Sequence, residues 1–183
     1  LWYIRAKEVV ISSGSIERPL VFGNNDTPGV LLSSAAKEYM KIYGVLVGKK
    51  PIVFTNNDSA YETAIEFKKN GIDPIIIDSR KDANSELIKE AKSLNIDIKF
   101  SHVVVNARGY KKVKSADIAD ISEDKLQLSN VRNIECDCIC VSGFWTPTIH
   151  LASQSGGKTQ FNKDIDAFIP SNSKQNETTV GAA

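Results

Sequence analysis

The sequence is short of the groups that carry chemistry, and it has no excess charge of either sign. Two histidines and three cysteines occur in 183 residues, and 23 Lys+Arg against 22 Asp+Glu leave a net charge of +1. The lysines are scattered rather than striped, which gives no electrostatic footprint for nucleic acid. No apolar run approaches the ~20 residues of a membrane span, and no basic-then-apolar leader is present. No Ser-His-Asp set and no convincing pair of carboxylates is legible, so no catalytic residue is expected. The cysteines fall in "CDCIC", at Cys136, Cys138 and Cys140. A zinc site wants C-x2–4-C pairs with further ligands elsewhere. Spacing of two along a strand instead puts all three thiols on one face. Core packing of reduced, metal-free thiols is the expectation. An odd cysteine count without a leader points to a reducing cytoplasm.

Glycine is missing where one motif needs it. "VFTNNDSAYETA", residues 53–64, follows the apolar run "PIVF" and opens a helical stretch that ends at Asn70-Gly71. Set against the dinucleotide fingerprint G-x-G-x-x-G/A, Thr55 and Asn57 take the first two glycine positions and Ala60 the third. The first glycine makes the tight turn, the second lets backbone approach a pyrophosphate, and the third lets helix and strand pack closely. Only the packing position is met. A helix N-terminus attracts anions, but Asp58 or Ser59 is placed to cap it from within. Asp78 closes the following strand, where an acidic residue would bond a ribose or simply end a turn. Both readings stay open, a scaffold that has lost its site or a live nucleotide turn.

The remaining pattern is α/β. Residues 2–12 read as a strand ending in a turn, residues 31–43 as a helix with Gly44 at a left-handed cap, and 51–55 as a strand. A helix over 59–70, a strand over 74–78, a helix within "NSELIKEAKSL" capped by Asn or Ser, and the strand "IDIKF" complete β-α-β-α-β. The all-apolar "IIID" predicts a parallel sheet covered on both faces. "HVVVNARGYKKVKSADIADI" reads as a hairpin turning at Arg108-Gly109-Tyr110, and a strand near "DKLQLS" would extend it to a three-stranded antiparallel meander. "ECDCICVSG" is a return strand. The fold class expected is thus a Rossmann-like parallel sheet domain with a three-stranded meander, interrupting part of a second domain.

"ISSGSIERPLVFGNNDTPGVLLSSA", "VFTNNDSAYETA" and "VSGFWTPTIHLASQSGGK", closing on "VGAA", resemble the alpha subunits of heterotetrameric sarcosine oxidases. A broader likeness reaches the pyridine nucleotide-disulfide oxidoreductases. The resemblance implies residues 1–44 as the C-terminal part of a first FAD/NAD-type domain, 45–142 as an inserted NAD-type domain, and 143–183 as the return to the first. It implies a piece of a larger subunit, and the start at Leu1 without methionine fits that expectation. It further implies oxidation of sarcosine to glycine with formation of hydrogen peroxide and 5,10-methylenetetrahydrofolate. NAD would be bound in this subunit and FMN held at a subunit interface, with FAD and tetrahydrofolate elsewhere in the complex. The partners implied are beta, gamma and delta subunits, with neither nucleic acid nor membrane. The alternatives are the alpha subunit of a related amine or amino-acid dehydrogenase complex, or a structural module with vestigial sites.

By the same resemblance, "VVISSGSIERP" is the strand and turn that passes beside a dinucleotide. Ser13 and Gly14 are then cofactor-binding, unless Gly14 merely turns the chain. Gly181 and Ala182 would return beside the same ligand, small enough for phosphates to lie on main chain. "TPTIHLASQSGGK" clusters possible donors to a phosphate or a flavin edge: Thr148, Ser153, Gln154, Ser155, Gly156 and, as a point charge, Lys158. That loop is either flavin- or subunit-facing, or solvated. His150 is a ligand, a proton carrier or a locally bonded side chain, and His102, beginning a strand, is structural.

Overall fold

The computed structural model describes residues 1–122 and 127–182. The chain forms two compact units, Pro19–Gly143, and Leu1–Arg18 joined by the stretch from Phe144 onward.

In the smaller unit, β1 (Val9–Ile11) pairs in parallel with β14 (Glu177–Thr179). β2 (Ser15–Glu17) pairs antiparallel with β11 (Trp145–Pro147). A short helix α4 (His150–Gln154) follows, and β12 (Thr159–Asn162) forms a hairpin with β13 (Ala167–Pro170). The strand expected over residues 2–12 is confined to Val9–Ile11, where β14 supplies its partner.

The larger unit is built on five parallel strands in the order β3–β10–β4–β5–β6. These are β3 (Val30–Leu32), β4 (Pro51–Thr55), β5 (Ile75–Asp78), β6 (Asp97–Phe100) and β10 (Cys138–Ser142). Every residue of β4 and β10 is buried, as a strand covered on both faces requires. Helices α1 (Ser33–Tyr43), α2 (Tyr61–Lys69) and α3 (Glu86–Ser93) pack Ala36, Met40, Tyr61, Ala64, Phe67 and Ile88 onto Val53, Ile76, Cys138 and Cys140. The antiparallel meander β7 (His102–Gly109), β8 (Val113–Ile121) and β9 (Leu128–Glu135) packs Val104, Ala107, Val113 and Ile118 onto Ile52, Phe54, Ile77 and Ile139. Alternate residues of one strand thus feed opposite cores, the period-two rule at work.

Local chemistry sets several boundaries. Gly44 ends α1 at φ 63°, a left-handed value that glycine adopts without a Cβ penalty. The Ser85 hydroxyl accepts from the Ile88 amide at 3.4 Å and starts α3. At the β7–β8 turn, a Cβ on Gly109 would lie 1.9 Å from the Lys112 carbonyl oxygen, so only glycine fits.

Two expectations need correction. Leu31 and Leu32 belong to β3, because pairing with Cys140 and Val141 captures them before the helix begins. The two compact units divide after Arg18, with β3 and α1 built into the sheet unit. The three thiols do not share a face. Cys138 and Cys140 lie in the helix-side core and Cys136 in the meander-side core. The backbone bends at Asp137, whose carboxylate accepts from the Lys49 and Lys50 amides. All three are buried and outside any disulfide, and burial first, then neighbouring Cys138, Asp137 and Glu135, push the Cys136 thiol up to about 12. Of the strand expected near "DKLQLS", β9 begins at Leu128 and residues 124–126 lie outside the described residues.

Candidate nucleotide-binding strand ends

In open parallel sheets, ligands bind beyond the carboxyl ends of strands where the strand order reverses. Here that point lies between β4 and β10, since the chain runs outward from β4 to β6 before returning to β10. The glycine-less turn sits there. Thr55 Oγ1 accepts from the Asn57 amide and donates to the Asn57 carbonyl, both at 3.0 Å. Asn57 Nδ2 then crosses to β10, donating to Ser142 Oγ at 3.0 Å and to the Ser142 carbonyl at 3.2 Å. Its Oδ1 accepts from the Ser59 hydroxyl at 2.7 Å and the Ser59 amide at 3.1 Å. The side chain at the second glycine position therefore spans the crevice.

The expected cap is also corrected. The N-cap of α2 is Ala60, which gives no side-chain bond. The amides of Tyr61, Glu62 and Thr63 bond instead to the carbonyls of Asp58, Ser59 and Ala60. Asp58 faces another partner, accepting from Arg80 Nη1 at 2.7 Å. Ala60 is 1 % exposed and meets the packing role of the third position.

Asp78 is fully buried and committed within the chain. It accepts from Arg80 Nε, Arg80 Nη2 and the Arg80 amide, and from the Tyr61 hydroxyl at 2.7 Å. Burial first, then the hydrogen bond to Asp78, raise the Tyr61 phenol well above its usual range. A carboxylate so occupied has no free lone pair aimed outward for a ribose hydroxyl. Sequence reasoning missed Arg80, Tyr61 and Ser142. Arg80 carried a signal, an arginine two residues beyond a strand-end aspartate, whereas Ser142 carried none.

The smaller unit presents a second pair of parallel strand ends. The Val180 amide donates to the Ile11 carbonyl at 2.9 Å, so the chain beyond β14 follows the chain beyond β1. Gly14 at φ 68° and Gly181 at φ 82° both occupy the left-handed region. A Cβ on Gly14 would have nothing within 4 Å, and one on Gly181 only Ser12 Oγ at 3.9 Å. The Ser13 hydroxyl donates to the Thr148 carbonyl at 2.6 Å, and the Thr148 amide to the Gly14 carbonyl at 2.9 Å. Ser13, Gly14, Thr148 and Gly181 are thus brought to the carboxyl ends, with Ala182 exposed beside them. Open space and two glycine backbones fit a phosphate-bearing ligand lying against main chain.

The rest of the 146–158 loop goes elsewhere. Ser153 and Gln154 are exposed on α4. The Ser155 hydroxyl is engaged by the Ala152 carbonyl at 2.8 Å and by Glu177, the first residue of β14. The Ser155 carbonyl accepts from Gln175 at 2.9 Å. A Cβ on Gly157 would meet the Ala152 carbonyl at 2.7 Å, so the Gly-Gly step follows from a tight helix end. Gly156, at φ 91°, turns against Lys174, and the Lys158 backbone pairs with Ser171 and Asn172, leaving its side chain exposed. His150 is exposed at the start of α4. His102 opens β7 with Nδ1 2.6 Å from the Phe100 carbonyl and Nε2 2.8 Å from Asp120, the structural place expected of it.

Parallel strands beside an antiparallel meander make a Rossmann-like α/β fold, one shared with several solved reductases. The chain superimposes on T. acidophilum thioredoxin reductase with a TM-score of 0.73 at 17% identity, over 97% of this chain and 57% of that one. With L-proline dehydrogenase from P. horikoshii the TM-score is 0.61 at 22% identity, over 97% and 30%. Identities this low establish the fold alone. No family model matches the chain. Within that class the likeness to sarcosine oxidase alpha subunits holds over the whole chain. It is 34% identical to those of Corynebacterium sp. (strain P-1), over 184 residues, and Rhizobium meliloti (strain 1021), over 185. The chain spans about a fifth of these relatives' length, 19% and 18%.

Proposed function

We propose that this chain is part of the alpha subunit of a multi-subunit, cytoplasmic flavoenzyme that oxidises sarcosine to glycine. Hydrogen peroxide and 5,10-methylenetetrahydrofolate are the further products in this reading. The observation that carries it is 34% identity sustained from end to end with sarcosine oxidase alpha subunits. Within the chain, NAD lies at the carboxyl ends of β1 and β14. Ser13, Gly14, Thr148, Gly181 and Ala182 shape its path, and the two glycines supply close backbone approach. The unit from Pro19 to Gly143 acts as a scaffold whose own switch-point crevice is closed by Asn57. Ser153, Gln154, Ser155, Gly156 and Lys158 face an FMN-bearing interface with the other subunits, contributing mainly Lys158 as a point charge, since the Ser155 hydroxyl is engaged internally. FAD and tetrahydrofolate belong to other parts of the complex.

The test is chemical. The protein is purified with its co-expressed subunits, denatured gently, and the released cofactors identified by mass spectrometry, while sarcosine-dependent peroxide is measured on the intact complex. NAD near one equivalent together with peroxide formation supports the reading. Sarcosine oxidation without peroxide moves it to a dehydrogenase, and a preparation that releases no nucleotide sinks the NAD assignment.

A further inference from the structure

We propose that the larger unit carries a docking surface at the amino-terminal ends of its strands, fitted to a protein partner presenting apolar groups flanked by carboxylates. The inference rests on the reading of the chain as part of a multi-subunit enzyme. Helix α1 turns Ser33, Ala36 and Met40 inward. Its other flank carries Tyr39, Ile42 and Tyr43, which are 47%, 67% and 68% exposed. The loop after it adds Val45 and Leu46, at 50% and 43%. The Val45 amide donates to the Tyr39 carbonyl at 3.0 Å, which folds the loop back against the end of the helix that carries these residues. The Tyr39 and Tyr43 rings stand 5.9 Å apart. Single exposed apolar residues need no explanation, but a contiguous aromatic and aliphatic patch marks an interaction site. Tyrosine is among the residues that carry binding energy at the centres of interfaces.

An independent observation supplies the partner's chemistry. The same loop runs into Lys49 and Lys50, and Gly48 packs so tightly on Cys138 that a Cβ there would lie 2.5 Å from its sulfur. The Asp137 amide donates to the Lys50 carbonyl, and that of Cys136 to the Lys114 carbonyl. Lys49 and Lys50 are therefore neighbours of the β7–β8 turn, where Lys111, Lys112 and Lys114 surround Tyr110, itself 92% exposed. Among the described residues only Lys50 of these five lysines has an ion-pair partner, Glu135 at 2.8 Å. In a chain of net charge +1 this is a local concentration of positive charge. Apolar groups with lysines along one side match a protein interface that has an apolar part and a polar edge. An anionic bilayer would also take tyrosines, aliphatic groups and lysines, so flotation of the isolated chain with anionic vesicles would overturn the choice of a protein partner. The surface is at the Pro51 end of β4, whereas Asn57 follows the opposite end at Thr55, so a docked partner leaves the carboxyl ends clear.

The experiment uses the complex purified through a tag on this chain, with subunit stoichiometry read by native mass spectrometry. Hydrogen exchange of amides 44–50 is compared between complex and isolated chain. In the Ile42→Asp/Tyr43→Asp variant, recovery of partner subunits falls by on the order of tenfold. The Lys111→Glu/Lys112→Glu variant dissociates at lower salt than wild type. Leu46→Ser gives a second, milder readout if the double aspartate variant does not fold. Unchanged assembly of these variants, with equal exchange of amides 44–50 in both states, overturns the docking surface alone. Self-association of the chain through the same residues overturns the choice of partner. A wild-type chain that brings no subunit with it overturns the multi-subunit reading as well.

Discussion

Beyond β4 and β10 the space between parallel strands is crossed by the Asn57 carboxamide, bonded to Ser142. Beyond β1 and β14 two left-handed glycines leave the equivalent space clear. The two pairs of strand ends thus differ at the point of closest approach, a bonded carboxamide in one and bare glycine backbone in the other. In the larger unit the polar groups that a ligand would have used bond to one another: Asp58 and Asp78 to Arg80, Asp78 to Tyr61, Asn57 to Ser142. Those bonds fasten the strand ends to one another. In the smaller unit the Ser13 hydroxyl and the backbone of Gly14 and Thr148 fasten the turn, and the glycine surfaces stay bare.

The largest effect expected from breaking this contrast is on stability. Arg80→Ala would leave the fully buried Asp78 carboxylate without its charged partner. Breaking a buried pair from one side costs about 3–5 kcal/mol, readable as a lower urea midpoint at unchanged m-value. A loss under about 1 kcal/mol would place the pair among surface ion pairs of little weight.

Nucleotide content comes next. In the assembled enzyme, Gly14→Leu should cut bound NAD by on the order of tenfold, a change of about 1.4 kcal/mol. Asn57→Leu should leave NAD unchanged. Gly14→Ala serves as a control for backbone strain, since a Cβ there meets no neighbour. Loss of NAD on changing Asn57 but not Gly14 would reverse the assignment of the two strand ends.

Asn57→Gly sharpens the comparison from the other side. It removes the bonds to the buried Ser142 and should cost roughly 1–3 kcal/mol, the range for leaving a buried polar group unpaired. Bound nucleotide should stay at the wild-type equivalent, because Arg80 and Tyr61 still hold Asp78. A second equivalent of nucleotide would show that the Asn57 side chain alone keeps the crevice shut.

A modest effect on stability belongs to Gly181→Ala. The nearest atom to the new Cβ is Ser12 Oγ at 3.9 Å, so the cost is backbone strain of about 1–2 kcal/mol, seen as a modest fall in melting temperature. A larger drop would mean that the turn after β14 is held more tightly than its contacts imply.

What the sequence by itself determined are the features decided within a few residues. Gly44 and Ser85 mark helix ends because capping depends on one φ angle or one hydroxyl. The alternation of β4, α2, β5, α3 and β6 and the hairpin turn at Gly109 follow from apolar period and turn chemistry. The missing glycines at Thr55 and Asn57 were equally plain, and they left two readings open. Tertiary structure decided between strand and helix for Leu31 and Leu32, because β10 pairs with them from more than a hundred residues away in sequence. It also turned Cys136 to the other core, since the bend at Asp137 depends on amides at Lys49 and Lys50. Above all, it brought Asn57 to Ser142 across 85 residues. No local periodicity encodes which two strand ends will meet, and that meeting decides whether a crevice is left open for a ligand or tied shut.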